Sequence, residues 1–499
     1  MNVRVDWRVS LALVGTVLRY LTVAFVVPLV VALYYGESVL PFVVAAAVSG
    51  VAGVGLERLG DPENFGGREA FLMVVLSWFG IGVVAAIPFL VAGEGVVAHP
   101  VNAFFEATSG VTTTGATVMN DISFETHTRS VLMWRQLTQW LGGLGILVLA
   151  TAVLSELSVG GAQLMETETQ TQDVNKLTPR IEETARLILK LYLAVTVAQT
   201  ALLYSLNIVG FADEMTLYNA VAHAFTSVST AGFSPEARSI EAFSPAVQWA
   251  TIPGMFVGAT SFVLIYHLTQ GDTSRLKRSE EFRFYVFVLS AFIVASAAIL
   301  VSEGTHSSFE ENVRHAVFNV TSILTTTGYA STDFNLWSSS VKHLLFLCMF
   351  FGGMAGSTTC SIKMVRWLVV AKGFRRDLFK AVHPDAVRPV RLSGNVVDEE
   401  AIRDIYAFVL VSLVAFFALT VFVAVDSARA GVGIDEFEAM SASAATFFNI
   451  GPAFGIAGPM ESYDVFSNAT KVAMTVMMWV GRIEIIPVLV ILTPAYWRS

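Results

Sequence analysis

Ten apolar runs of roughly membrane-spanning length divide this chain and leave little sequence for anything else. A helix needs about 20 consecutive apolar residues to cross the hydrocarbon layer. Such runs stand near 11–34, 40–56, 70–93, 130–154, 187–210, 246–268, 283–302, 341–371, 402–425 and 470–492. The charged fraction is 14% of 499 residues, against about 25% in soluble domains. A soluble enzyme is excluded, and so is a disordered chain, which needs low hydrophobicity. The fold class is therefore an all-α polytopic membrane protein. The first run is too long for the apolar core of a cleaved signal peptide, and no small-x-small cleavage site follows it.

Charge fixes the expected orientation. With both termini cytoplasmic, the inside segments hold 21 of the 31 Lys and Arg, the outside segments six, and the spans four. That is the asymmetry the positive-inside rule requires, and it places the chain in the cytoplasmic membrane as a multi-pass protein. The outside segments carry 19 Asp and Glu, a balance that concentrates cations or merely solvates that face. A net charge of −9 argues against nucleic acid as a partner. Two cysteines, Cys348 and Cys360, provide neither a disulfide framework nor a Cys-rich metal site.

Four stretches between the spans are too apolar for ordinary loops and too short to cross: Asn102–Thr117, Tyr218–Ser234, His315–Tyr329 and Phe437–Gly455. They align when Gly115, Gly232, Gly328 and Gly451 are set in register. Twelve residues upstream each copy has alanine (Ala103, Ala220, Ala316, Ala439). Six upstream stand Ser109, Thr226, Ser322 and Ala445; two upstream stand Thr113, Thr230, Thr326 and Asn449. The unit is span, re-entrant helix, glycine turn, span, and it occurs four times. Packing by small residues accounts for scattered glycines but not for registered ones. Non-helical backbone at membrane depth survives where protein buries it or where it lines a wet cavity. Four such turns about one axis would present carbonyl oxygens able to replace a cation's hydration shell, with helix C-termini aimed at the same place.

At these residues the chain resembles the Trk/Ktr/HKT superfamily of potassium transporters, and within it the TrkH-type membrane subunit. WRQLTQWLGGLGILVL (134–149), LTPRIEETAR (177–186), MFVGATSFVLIY (255–266) and GRIE (481–484) carry the likeness further along the chain, and the two spans before Arg68 match an extra N-terminal hairpin. The resemblance implies an N-terminal hairpin (1–67) followed by four pore repeats (68–160, 161–272, 273–380, 381–499) around a central pore. It also implies a homodimer and a cytosolic, TrkA-type nucleotide-binding regulatory protein. Carried over position by position, the potassium-binding filter would be Thr113, Thr114 and Gly115; Thr230, Ala231 and Gly232; Thr326, Thr327 and Gly328; and Asn449, Ile450 and Gly451. Glycine in all four filters goes with potassium preference in this superfamily, and serine in the first with sodium permeation. K+ is then the transported ion, with no organic cofactor on this chain. The fourth copy departs most, with Asn449, Ile450 and Pro452 around its glycine, so channel-grade rejection of sodium is not expected.

Two further features concern gating. Arg482 stands roughly 18 Å into the last span at ~1.5 Å per residue, at a depth where a lone arginine costs at least ~2.5–3.5 kcal/mol. It faces a wet cavity or a buried carboxylate; the resemblance implies a cationic barrier beneath the filter. Phe351–Lys363 (FGGMAGSTTCSIK), midway along 341–371, is a poor uninterrupted helix. The resemblance makes Gly352, Gly353, Gly356, Ser357, Thr358 and Thr359 an intramembrane gating loop, whereas a glycine packing kink would need no such role. Cys360 and Ser361 stand where the family often has glycine. Lys363 is either a pore-facing cation or an interfacial anchor. Nine bases between Lys363 and Arg403 suit topology, anionic membrane lipids or a docked subunit. Ser155–Arg186 suits a cytoplasmic amphipathic helix open to a partner.

Rival functions fare worse. An intramembrane enzyme needs convergent titratable groups, yet there is no His-Glu-x-x-His and the eight histidines are scattered. Gly53-Val54-Gly55 lies in no βαβ unit, so it is no dinucleotide site. A voltage sensor is disfavoured because no span has arginine at every third position. A potassium symporter coupled to protons or sodium is the alternative within transport. Intramembrane carboxylates are its usual proton sites, and the spans provide few beyond Glu106, Glu156 and Glu484.

Overall fold

The computed structural model describes residues 5–61, 66–152 and 177–497, and the regular secondary structure of the described chain is helical apart from one short hairpin. The first unit comprises α1 (Trp7–Ala24), α2 (Val26–Tyr35) and α3 (Leu40–Glu57). α1 and α3 approach closely because glycines face each other. A Cβ on Gly15 would sit 2.6 Å from the Gly53 oxygen, and one on Gly53 2.8 Å from the Gly15 oxygen. In lipid, where no hydrophobic force drives helices together, such small-residue contacts are what packs them.

Four units of like design follow. The first has α4 (Gly67–Ala92), the short α5 (Pro100–Val111) and α6 (Arg129–Ala152). The second has α7 (Leu177–Ile208), the short α8 (Leu217–Val228), then α9 (Pro245–Gly258) and α10 (Phe262–Thr269). A six-residue α11 (Thr273–Arg278) leads to the third, with α12 (Glu280–Glu303), the short α13 (Phe309–Leu324), α14 (Ser339–Cys348) and α15 (Met364–Val382). A linker with an antiparallel pair, β1 (Arg391–Leu392) and β2 (Asn395–Val396), precedes the fourth: α16 (Glu399–Ala430), the short α17 (Glu436–Phe447), α18 (Asn468–Arg482) and α19 (Ile485–Leu492). α20 (Pro494–Trp497) closes the chain.

The short helices start where their sequences dictate. Pro100 occupies the first turn of α5, where a missing N–H is harmless. Thr216 caps α8 through its side chain, and complete capping boxes start α13 (Ser308 with Glu311) and α17 (Asp435 with Glu438).

Six described helices, counting α1–α2 as one, are long and apolar enough to cross a membrane, and two bent pairs raise the number to eight. The other two of the ten expected spans are α6, with 24 residues, and the element from α14 to α15. Three expected spans are not straight. Run 246–268 is α9 and α10 meeting at 104°, and run 470–492 is α18 and α19 meeting at 107°. Run 341–371 is broken by a non-helical stretch between Cys348 and Met364. Hydropathy cannot register a bend whose two arms are equally apolar. Of the amphipathic helix expected over 155–186, residues 155–176 lie outside the described ones, and the remainder begins α7.

Candidate functional site

Each short helix ends in the same turn. The residue two before the registered glycine has positive φ (Thr113 54°, Thr230 52°, Thr326 54°, Asn449 55°), and so does the glycine (78°, 79°, 80° and 103°). The carbonyl six residues before the glycine receives two amides. Ser109 accepts from Thr114 and Gly115 (2.9 and 3.5 Å), Thr226 from Ala231 and Gly232 (2.9 and 3.4 Å), Ser322 from Thr327 and Gly328 (2.8 and 3.2 Å), and Ala445 from Ile450 and Gly451 (2.8 and 3.3 Å). Bonds that reach back five and six residues uncoil the helix end and satisfy its last carbonyls. A β-branched residue at positive φ is strained by ~1–3 kcal/mol. Three threonines share that strain at equivalent positions, which points to a shape that the surroundings impose.

The four turns form a closed ring. A Cβ on Gly115 would collide with the carbonyl oxygen of Ala231, one on Gly232 with that of Thr327, and one on Gly328 with that of Ile450. One on Gly451 would come within 2.7 Å of the Thr114 oxygen, which returns to the first unit. Each glycine is thus the surface on which the next unit's carbonyl rests. All four glycines also line one cavity of about 130 Å³, with Asn120, Glu236 and Glu461 on its rim. Burial lifts the Glu236 carboxyl above its ordinary value, against the opposing effect of the Asn219 amide at 3.4 Å.

The second helix of three units backs the ring through another glycine, which the registered turns did not reveal. A Cβ on Gly142 or Gly481 would collide with the Val111 or Phe447 oxygen, and one on Gly258 would lie 2.5 Å from the Val228 oxygen. These acceptors sit four residues before each ring glycine. Gln139, also unanticipated, donates to the Ala231 oxygen (2.7 Å) and accepts from the Phe233 amide (2.9 Å). The Ala231 carbonyl is therefore already engaged. Asn449 donates to Thr114 Oγ1 and to the Met478 oxygen, both at 2.8 Å. Its amide staples the fourth turn to the first.

Behind the first turn, Glu106 and Arg135 form a fully buried ion pair at 2.6 Å. Glu106 also accepts from Thr117 Oγ1 and the Val118 amide, both at 2.9 Å, and Arg135 donates to the Ser234 oxygen at 2.9 Å. The guanidinium lies 3.5 Å over the Phe233 ring. The pair clamps the first turn's outgoing strand to the second unit, with the cation neutralised beside the cavity.

The stretch between α14 and α15 lies directly under the ring. Thr358 Oγ1 meets Thr230 Oγ1 (3.0 Å), the Cys360 amide donates to Thr326 Oγ1 (3.1 Å), and Cys360 Sγ stands 4.0 Å from Thr113 Oγ1. The three strained threonines are thus the contacts of this loop. Backbone bonds anchor it to the α9–α10 bend: Met354 N to Ala259 O, Thr358 N to Gly258 O and Phe262 N to Gly356 O, at 2.9–3.1 Å. Gly353 packs against Ala259, Gly356 adopts positive φ, and Ser357 and Thr359 hydrogen-bond each other (2.8 Å). A Cβ on Gly352 would collide with the Cys360 oxygen. Lys363 folds back on the loop, donating to the Thr359 oxygen and hydroxyl.

Arg482 ends α18 at the 107° bend and is 2% exposed. It donates to the Thr358 oxygen (2.9 Å), the Gly142 oxygen (2.8 Å) and Cys360 Sγ (2.7 Å). Its partners among the described residues come from the first and third units, and none is a carboxylate. Glu484, on the other side of the bend, pairs with Arg366 at 2.6 Å. The residues of the four turns thus converge on one ring, and the Gly352–Lys363 stretch and Arg482 converge on its underside.

Comparison with known proteins agrees with this geometry. The TrkH family model, described as a cation transport protein, matches residues 42–499. The Trk system potassium uptake protein TrkH of Halomonas elongata is 33% identical over 503 aligned residues, covering 99% of both chains. TrkH of Escherichia coli K12 is 33% identical over 436 residues, covering 87% of this chain and 86% of its own. The crystal structure of the potassium transporter TrkH from Vibrio parahaemolyticus superposes with a TM-score of 0.87 at 29% identity, over 99% of this chain and 100% of that one. The family is one of transporters, not of enzymes. A multi-pass membrane protein whose short helices end in four equivalent turns, this chain belongs to the TrkH family of cation transport proteins.

Proposed function

We propose that the chain takes up potassium across the cytoplasmic membrane, the ion passing through the four-turn ring as a selectivity filter. The observation that carries this reading is the ring itself, with four equivalent turns, four glycines on one cavity, and a buried arginine on the opposite side. Backbone oxygens held on a rigid frame suit a large, weakly hydrated monovalent cation. The Thr358–Cys360 stretch and Arg482 close the underside in this conformation, and their displacement opens the path. A cytosolic nucleotide-binding protein of the TrkA type, acting on a homodimer, is the proposed regulator; the relatives' names speak of a Trk system.

Passive conduction is favoured over proton-coupled symport by the ion pairs of two carboxylates within the helical bundle. Glu106 is held by Arg135, and Glu484 by Arg366; Glu156 lies outside the described residues. A proton carrier needs a carboxylate free to change charge. Uptake of rubidium-86 into liposomes holding the purified protein and loaded with potassium tests the reading. Influx suppressed by external potassium and much less by sodium is expected, with no stimulation by an inward proton gradient. Influx that follows an imposed proton gradient would reverse the choice in favour of symport.

A further inference from the structure

A second cavity, of about 530 Å³, lies between α1, α4 and α6, outside the ring. Its origin is the ring's own packing requirement. Gly142 must lack a side chain because the Val111 oxygen fills that space, and a Cβ on Gly145 would stand 3.5 Å from the Trp78 ring. The face of α6 at that level therefore carries little bulk, and among the described residues no side chain fills the gap. The cavity runs from exposed Tyr20 and Val148 inward to buried Val111 and Gly142. Its inner wall is the back of the barrier: the Gly142 oxygen receives Arg482, and the Trp78 ring lies 5.6 Å from the Arg482 guanidinium.

We propose that this cavity is a lipid site occupied by one acyl chain of a bilayer phospholipid. The volume falls within the range of about 300–1,000 Å³ typical of ligand pockets. The lining is almost wholly apolar, so water has too few partners to occupy it. The mouth opens on helices that cross the membrane, where the abundant apolar molecule is a lipid tail. Ser77 presents a hydroxyl with no protein partner among the described residues, and an acyl chain does not require it. Because the chain abuts Trp78 and Gly142, its presence limits how far Arg482 can retreat.

The test uses the full-length protein in phosphatidylethanolamine–phosphatidylglycerol vesicles doped with a phospholipid bearing a diazirine midway along its acyl chain. After illumination, adducts are mapped by mass spectrometry. Labelling of the cavity segments 17–24, 73–81 and 141–148 is expected several-fold above the lipid faces of α12 and α16. Leu21→Trp and Ala24→Phe, which fill the cavity, should each abolish the excess while labelling of α12 and α16 persists as the folding control. Labelling no stronger than on those faces would mean that protein fills the space, and would overturn the proposal. So would loss of the excess in Ser77→Ala, because the occupant would then be held by a hydrogen bond. Rubidium flux through the two filled variants, expected to change several-fold, reads the link to Arg482. That arm alone rests on the pore reading, so its failure leaves the lipid site standing and the labelling result separate.

Discussion

The carbonyl oxygen of Thr327 occupies the space where Gly232 would carry a side chain, and the same relation passes around the ring until Gly451 meets Thr114. Clearance is least at Gly232 and Gly328 and greatest at Gly451, where a Cβ would stand 2.7 Å away. Alanine at Gly232 or Gly328 should therefore abolish rubidium uptake, whereas Gly451→Ala retains a measurable fraction. Flux assays on the three variants in parallel, normalised to inserted protein, check the order.

Glu106 and Arg135 are each almost wholly buried. Removing one partner of a buried pair leaves an uncompensated charge, at a cost of about 3–5 kcal/mol. Glu106→Gln is expected to lower the thermal midpoint sharply in detergent, and Arg135→Met likewise. The double variant should be more stable than either single one. A thermal-shift series on the four proteins measures the coupling.

At the strained position of the four turns, Asn449 stands where the other three have threonine, and asparagine tolerates that conformation best among non-glycine residues. Its amide also makes two buried hydrogen bonds. Asn449→Ala should cost about 1–3 kcal/mol by removing two buried hydrogen bonds, although the Thr114 hydroxyl keeps Thr112 Oγ1 as a partner at 2.7 Å. Selectivity should fall as well, seen as stronger competition by sodium against rubidium.

Arg482 holds the loop and the first unit together from below. Arg482→Ala removes both the charge and the tie, and should raise rubidium flux in the absence of any regulatory protein. Arg482→Lys keeps the charge but cannot reproduce the three-way fork, so an intermediate flux is expected. Unchanged flux in both variants would separate Arg482 from the conduction path.

The Glu236 carboxyl, raised by burial at the cavity rim, loses its charge at a higher pH than an ordinary glutamate. External acidification should reduce uptake as it becomes neutral. Glu236→Gln should start at the reduced level and lose that pH dependence. Measuring uptake across the acidic range in both proteins gives the comparison.

The four turns were legible because a turn at membrane depth depends on local backbone freedom, and Gly115, Gly232, Gly328 and Gly451 mark it directly. Their closure into a ring was not, since the atom that each glycine accommodates belongs to another unit hundreds or scores of residues away. The bends after Gly258 and Gly481 escaped a hydropathy reading for the reason already given. Thr260 and Ser261 after the first, and Arg482 and Glu484 after the second, were the available signs: polar residues interrupting a run that apolarity alone would carry across. Gln139 lay in plain view within WRQLTQWLGGLG. Its role follows only from the Ala231 oxygen and Phe233 amide facing it, which no spacing along one helix could disclose.

The central claim is that the ion passes through the ring that these four glycines close. Anomalous diffraction from crystals grown with rubidium or thallium in place of potassium tests it most directly. The account predicts anomalous density on the ring axis, bordered by all four turns and continuous with the cavity that Glu236 and Glu461 rim. Density between helices away from the four glycines would contradict it.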